Sequence, residues 1–488
     1  MSKKKKTIEE LLEEALVQEE KQPYKVPKNW KWVKMGSVIT LISGRDLSTK
    51  LCNSEEKGIP YIMGASNIVD NQLDVERWIE TPTVIGVRGD ILVSVKGTVG
   101  KAIIQELDEV HLSRQIMALR SKDTVLNKFL YLYIQTYVEK LKEVAKGIIP
   151  GISRDDILNA PFPLLPLNEQ KRIADKVERL LSKIDEAKQL VEEAKKTFEL
   201  RRAAILDKAF RGELTRKWRG ENADIDIFEV QEHLDRLRAD KESSPIKSNT
   251  LNVKSVNEDD EPFNLPRGWK WARLGELSYY VTSGSRDWSK YYANHGSYFI
   301  RTQDINKNKL NLANVAYVLL PEKVEGKRSL VEPFDLLTTI TGANVGKCAI
   351  VEEIIPEAYV SQSVALTKLI DKSMAQYVHL SLLSTCGGGG ELENRAYGIG
   401  RPVLSLEDIK NIRLPIAPYR ERQVIINMVK KLLDMEETTG NLLLLEEKLD
   451  QLKNSILSKA FRGEIGTNDP SEESALELLK EMLQEQVN

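Results

Sequence analysis

The sequence predicts an α+β chain in which two mixed α/β domains are joined by two long antiparallel coiled-coil helices, with an approximate two-fold relating the halves. Three observations predict it. First, the chain repeats itself. Val26-Pro27-Lys28-Asn29-Trp30-Lys31-Trp32 returns as Leu265-Pro266-Arg267-Gly268-Trp269-Lys270-Trp271, and Lys208-Ala209-Phe210-Arg211-Gly212-Glu213 returns as Lys459-Ala460-Phe461-Arg462-Gly463-Glu464. Second, each copy carries short apolar runs between Gly-rich turns. Third, each copy then continues into a long heptad seam. The offset between copies drifts from roughly 240 to 250 residues, so the repeated unit is domain-sized, far above the periods of roughly 20–50 residues that build solenoids.

In chain order, the basic stretch Met1–Lys6 precedes an acidic amphipathic helix from Thr7 to Glu20, within an N-terminal segment 1–21. Such a helix recurs from Ile225 to about Ala239 and again from Ala475 to Leu483. Only the middle copy has neighbours on both sides, which predicts a ring in which the chain ends meet and cover their apolar faces. The first mixed domain spans 22–167. Ile91-Leu92-Val93 reads as a strand and Lys128 to Tyr133 as a helix. The second spans 262–417, with Leu336-Leu337 as strand and Ala375 to Leu380 as helix. Trp30, Trp32, Trp269 and Trp271 alternate as on one strand face and are expected in cores. Ser43-Gly44-Arg45-Asp46 is answered by Ser283-Gly284-Ser285-Arg286-Asp287, and Gly89-Asp90 by Phe334-Asp335. Gly97-Thr98-Val99-Gly100-Lys101 is answered by Gly342-Ala343-Asn344-Val345-Gly346-Lys347, and Leu165-Pro166-Leu167 by Leu414-Pro415-Ile416.

The central helical spacer is 168–241. From Ile173, apolar residues fall at Val177, Leu180, Ile184, Ala187, Val191, Ala194, Phe198 and Ile205. Steps alternating between four and three make an a/d seam, which specifies a coiled coil. The C-terminal spacer, 418–488, gives Ile425, Met428, Leu432 and Met435, then Leu445, Leu449, Leu452 and Ile456. Between them Thr438-Thr439-Gly440 disturbs the phase, as a slip or a kink. Either seam could pack on its own domain; two matching seams favour mutual pairing. Residues 242–261 are polar and read as a flexible linker, and Gly387–Gly390 as a second mobile stretch.

Composition limits the function. Of 488 residues, 30% are charged and 41% hydrophobic. No apolar run approaches the ~18 residues of a membrane span, and no signal-peptide core follows the N-terminus, so a cytoplasmic location is expected. Cys52, Cys348 and Cys386 have neither metal-site nor disulfide spacing, and His111, His233, His295 and His379 are scattered. The Gly-rich turns are too short for a phosphate loop, and Lys101 and Lys347 are followed by Ala and Cys. Asn159-Ala160-Pro161-Phe162 departs at its second residue from the catalytic turn of amino-methyltransferases. What repeats is scaffold, so no catalytic group, metal or cofactor is expected in this chain. A net charge of −2 argues against a uniformly basic surface but leaves local basic patches open. The polar residues near the repeated turns are suited to DNA. They are Arg45, Asp46, Lys96, Thr98, Lys101, Ser113, Arg114, Gln115 and Arg154 in the first copy. In the second they are Arg286, Asp287, Arg301, Gln303, Asn344, Lys347, Ser361, Gln362 and Arg401. Arg, Gln and Asn can pair bidentately with base edges, and Lys, Ser and Thr suit phosphates. An ordinary solvated surface accounts for any one of them taken singly.

The duplicated Pro-x-x-Trp-Lys-Trp openings, the Leu-Pro closings and the helices ending in Ala-Phe-Arg-Gly-Glu resemble the specificity subunits of type I restriction-modification systems over nearly the whole chain. Glu169-Gln170-Lys171-Arg172-Ile173 is similar to that family's helix opening; Glu421-Arg422-Gln423-Val424-Ile425 departs from it. The resemblance implies a non-catalytic subunit whose two target-recognition domains each read half of a bipartite double-stranded DNA site. It implies helices that set the spacer and dock two methyltransferase (modification) subunits carrying S-adenosylmethionine. Restriction subunits using ATP and Mg would complete the complex. A self-contained DNA methyltransferase with fused recognition domains and a coiled-coil scaffold without a DNA role are the alternatives.

Overall fold

The computed structural model describes residues 7–69, 71–144, 151–222, 224, 226–244, 247–286, 288–306, 308–321, 326–398, 400–437 and 441–487. The expectations for Met1–Lys6, Asp287 and Thr438-Thr439-Gly440 lie outside them. The chain separates into two compact units, Met1–Glu192 with Leu442–Asn488, and Glu193–Asn441. The first unit therefore takes in Leu442–Asn488, which the sequential partition had assigned with 418–441. No helix among the described residues is long and apolar enough to cross a membrane.

In the first unit an antiparallel four-stranded sheet runs in the order Ala102–Ile104, Ile91–Ser94, Ile116–Ser121, Ile39–Ser43. A five-stranded sheet packs the parallel pair Ile59–Ile62 and Glu109–Leu112 at its middle. Lys31–Lys34 pairs with Pro161–Leu164, and the helix Asn127–Val144 covers the core. The Gly-Asp motif has a structural cause. Gly89 turns the chain at φ +93°, and Asp90, 1% exposed, accepts from the Val87 amide at 2.9 Å and takes the Arg120 fork at 2.8 Å.

The second unit repeats the plan. Its four-stranded sheet runs Ser278–Ser283, Val364–Leu369, Leu336–Thr339, Cys348–Ile350. A second sheet holds the parallel pair Ser297–Ile300 and Ala358–Val360. Lys270–Arg273 pairs with Arg413–Ile416. Here Trp271 lies opposite Pro415, whereas Trp32 lies opposite Pro163. The true counterpart of Leu414-Pro415-Ile416 is thus Phe162-Pro163-Leu164, three residues before the segment matched by sequence. That register also aligns Glu169 with Glu421 and confines the departure to Gln170 and Arg422.

Two stretches expected to be mobile are held. In the linker 242–261, Asn249 exchanges hydrogen bonds with the Val281 amide (3.0 Å) and carbonyl (2.7 Å), and Ser248 donates to the Tyr279 carbonyl at 2.8 Å. It therefore covers the outer edge of Ser278–Ser283, whose backbone groups need partners. In Gly387–Gly390, a Cβ on Gly387 would lie 2.7 Å from the Ser381 carbonyl and one on Gly388 2.7 Å from Leu414. These glycines permit close packing, with Phe210 3.2 Å from such a Cβ on Gly387.

The four tryptophans of the repeated motif are buried, at 1–5% exposure. In each unit the Phe-Arg-Gly-Glu segment packs against neighbouring aromatic rings. Phe461 sits between Phe129 (5.3 Å) and Tyr133 (5.2 Å), and Phe210 against Tyr377 (5.2 Å). Arg462 lies over Tyr24, which meets Trp32 edge-on; Arg211 lies over Phe263, which meets Trp271 likewise. In the first unit the helix Ile8–Ala15, opened by a Thr7 capping box, packs with the helix Ala475–Val487.

The long central helix spans Leu167–Phe210. Of its predicted seam, Ile173, Val177, Ile184 and Val191 are buried, and Leu180, Ala187, Ala194, Phe198 and Ile205 half-buried. The helices Tyr419–Glu437 and Asn441–Phe461 carry the second seam. Ile425 is buried, while Met428, Leu432, Leu449 and Ile456 are half-buried. Leu445 and Leu452 are 41% and 49% exposed, so they leave the buried stripe, which passes instead to Leu457 and Ala460. A helix of about 3.6 residues per turn drifts off a strict seven-residue repeat.

Glu169 opens the central helix and is fully buried. It accepts from the Asn468 amide (2.9 Å), the Thr467 hydroxyl (2.7 Å) and Arg172, which also reaches Glu472 at 2.8 Å. Burial pushes its carboxyl up, but these hydrogen bonds and the arginine charge together hold it below the ordinary value of 4.5. A depressed carboxylate stabilises the fold above its unfolded pKa and ceases to do so as pH falls through the folded one. Glu169→Gln is therefore expected to cost stability at pH 7 and progressively less below pH 4.5, the ordinary value. Unfolding titrations from neutral to acid pH check this; a difference from wild type that stays constant would rule it out.

Candidate nucleic-acid interface

One backbone framework recurs in both units. In the first, the Ser113 amide bonds the Ile62 carbonyl at 3.0 Å, and the Ile116 amide closes a turn onto Ser113 at 3.0 Å. In the second, Ser361 bonds Ile300 at 2.8 Å and Val364 closes onto Ser361 at 3.1 Å. The Ser-Gly motif passes directly over this turn. A Cβ on Gly44 would lie 2.0 Å from the Ser113 carbonyl, and one on Gly284 1.9 Å from the Val360 carbonyl. The Gly97 and Gly342 turns stand alongside, and their predecessors Lys96 and Thr341 bridge to Gly151 and Val403.

Several predicted contact residues serve this framework. Lys101 Nζ donates to the carbonyls of Ala65 (3.1 Å) and Ile68 (2.8 Å), because the turn sends its stem back over the sheet. Lys347 donates to Asn344 at 2.9 Å. Ser113 is 2% exposed and donates to the Met63 carbonyl at 2.6 Å, and Ser361 is 8% exposed. Arg301 is held by Asp304 and by the Asn314 carbonyl at 3.0 Å. Arg154 donates to the Leu41 carbonyl (3.2 Å) and Ser43 hydroxyl (2.6 Å), covering in the first unit the edge that Asn249 covers in the second.

The outward-facing set is smaller. Arg45, Asp46, Lys96, Thr98, Arg114 and Gln115 are exposed in the first unit; Arg286, Gln303, Gln362 and Arg401 are exposed in the second. In the second unit an open cleft of ≈ 770 Å³ brings Arg286, Gln362 and Arg401 together with Arg328, Thr341 and Ser363. Among the described residues no carboxylate lines it, and none of its three arginines has an ion-pair partner. Such a cleft favours a polyanion and offers bidentate donors to base edges. Arg328 and Thr341 were missed from sequence, since Arg328 lies between the repeated motifs and Thr341 answers a lysine. Also missed was His111, which is fully buried. Its Nε2 donates to the Arg45 carbonyl at 3.0 Å while Nδ1 faces the Thr83 and Val84 amides, and burial pushes its pKa down. The neutral ring fixes the backbone that presents Arg45 and Asp46.

A family model described as the type I restriction modification DNA specificity domain matches residues 27–196. The chain is 24% identical over 455 residues to the type I restriction enzyme EcoBI specificity subunit of Escherichia coli, covering 90% of this chain and 86% of that one. It is 22% identical over 462 residues to the EcoDI specificity subunit of Escherichia coli, covering 90% of each. Among solved structures it is similar in fold to a chain from work on complex assembly and conformational transition of the type I R-M system. That match has a TM-score of 0.64 and 20% identity, over 91% of this chain and 100% of that one.

Proposed function

We propose that this chain, which belongs to the family of type I restriction-modification DNA specificity subunits, works as a non-catalytic reader of a bipartite DNA site. Each recognition domain, 22–167 and 262–417, contacts one half-site. The observation that carries this reading is a shared framework with unlike outward side chains. Lys96, Arg114 and Gln115 in one unit stand where Thr341, Gln362 and Ser363 stand in the other. Two similar supports bearing different donors suit two different half-sites.

The long helices act as the spacer ruler and dock two methyltransferase subunits, which carry S-adenosylmethionine; restriction subunits supply ATP-driven cleavage. Antiparallel pairing of the helices is part of this reading. Within the first unit it is supported by Lys188 on Asp450 of the helix Asn441–Phe461 and by Lys176 on the Ile465 carbonyl (3.0 Å) just past that helix, residue numbers rising along the central helix as they fall along the other segment. Deleting one heptad from each long helix is expected to change the tolerated spacer and leave both half-sites as they were. Sequencing methylated sites made by the complex with its modification subunits reads this directly, and an unaltered spacer overturns the ruler. Methylation without sequence preference would defeat the whole reading, and tight S-adenosylmethionine binding by the isolated chain would favour a self-contained methyltransferase.

A further inference from the structure

The Arg114–Asp46 pair in the first unit has a geometry that an incidental surface ion pair lacks. Asp46 meets one residue twice: Oδ1 accepts the Arg114 amide at 3.0 Å, and Oδ2 lies 2.6 Å from Arg114 Nε in an ion pair. Exposed ion pairs commonly contribute little, because two long side chains must be ordered to form them. Here the carboxylate is short and its loop is already fixed, since the Arg45 amide bonds the Leu112 carbonyl at 2.8 Å and His111 holds the Arg45 carbonyl. The Arg114 guanidinium is thus drawn to the fixed carboxylate on its Nε side and remains 66% exposed. Among the described residues neither terminal nitrogen has a partner. Those two nitrogens form the fork that matches guanine O6 and N7, and pre-orientation reduces the entropy lost on using it.

The equivalent position of the second unit carries a different reader. Gln362 follows Ser361 as Arg114 follows Ser113, on the same turn, and it lines the basic cleft. A glutamine amide matches adenine N6 and N7.

We propose that positions 114 and 362 are equivalent base-reading positions, Arg114 selecting a guanine in one half-site and Gln362 an adenine in the other, with Asp46 a positioning residue for Arg114. This rests on the specificity-subunit reading above. The test is Arg114→Gln in the full chain, co-expressed with its modification subunits in a host free of other methylation, followed by sequencing of all methylated sites. The expected result is a change at one base position of one half-site, guanine giving way to adenine. The original base should lose about 10- to 100-fold in preference, with the other half-site and spacer unchanged. Asp46→Asn should relax the same position without changing the other positions, and Gln362→Arg should alter one position of the opposite half-site. An unchanged recognition sequence for Arg114→Gln overturns the proposal. So does a uniform loss at every site with a reduced salt dependence, the mark of a phosphate contact. Both residues are exposed at a turn, so folding is not at stake. If wild type itself methylates without sequence preference, the specificity-subunit reading fails instead.

Discussion

Replacing Glu421 by alanine is expected to destabilise the second unit by about 3–5 kcal/mol. Glu421 is fully buried and accepts from the Thr215 hydroxyl (2.6 Å), the Trp269 indole (2.8 Å) and Arg219. Arg219 is itself only 20% exposed. The truncation therefore leaves one confined cation and two neutral donors facing a void. The cost is the desolvation of groups that were paired, which exceeds what the pair contributed net. Glu421→Gln keeps one acceptor oxygen and is expected to lose roughly half as much. Urea unfolding followed by tryptophan fluorescence is the measurement; an alanine variant within about 1 kcal/mol of wild type would show the cluster to be solvated in solution.

The second large effect is expected at the glycines of the repeated Phe-Arg-Gly-Glu segment. Gly463 has φ +75° and Gly212 φ +73°, both left-handed. A Cβ on Gly463 would lie 2.4 Å from Pro27 Cγ, and one on Gly212 2.4 Å from Pro266 Cγ. The opening proline of one motif thus fills the space left by the glycine of the other, which is why both recur. A rigid ring cannot swing aside as a flexible side chain can. Valine at either position combines left-handed strain of about 1–3 kcal/mol with an overlap of similar size, so a loss of about 3 kcal/mol or more is expected. Gly220, in the short helix Arg216–Glu221 with nothing near its Cβ direction, is the control. Alanine there should be neutral or stabilising by up to about 1 kcal/mol. If Gly463→Val matched that control in thermal unfolding, the proline contact would have no energetic weight.

The sequence was most legible where a repeated residue type meets a single physical demand. The tryptophans, Phe210 and Phe461 of the repeated segment, and Ile173, Val177 and Ile184 of the central seam are buried because nothing else in their windows can fill a core. It was least legible where the same residue type serves opposite ends. Four consecutive glycines signal freedom in isolation, yet Gly387 and Gly388 exist so that Phe210 and Leu414 can approach. A lysine after a Gly-rich turn suggests a phosphate, yet Lys101 is spent on two carbonyls of its own unit. Asn249 looked like linker because only its amide, imitating a strand's backbone, ties it down. At the interface the useful distinction, between side chains held inward and those left free, depends on hydrogen-bond direction. No periodicity encodes that direction.

The make-up of the first unit also sets an order of assembly on the ribosome. Its core needs Phe461, Ala475 and Leu479, which belong to Leu442–Asn488. The second unit, Glu193–Asn441, is one uninterrupted stretch. During synthesis the domain translated second can finish first, while the one translated first waits with an open flank for residues made last. The exposed apolar surface of that waiting domain is where chaperone demand and failed assembly should concentrate.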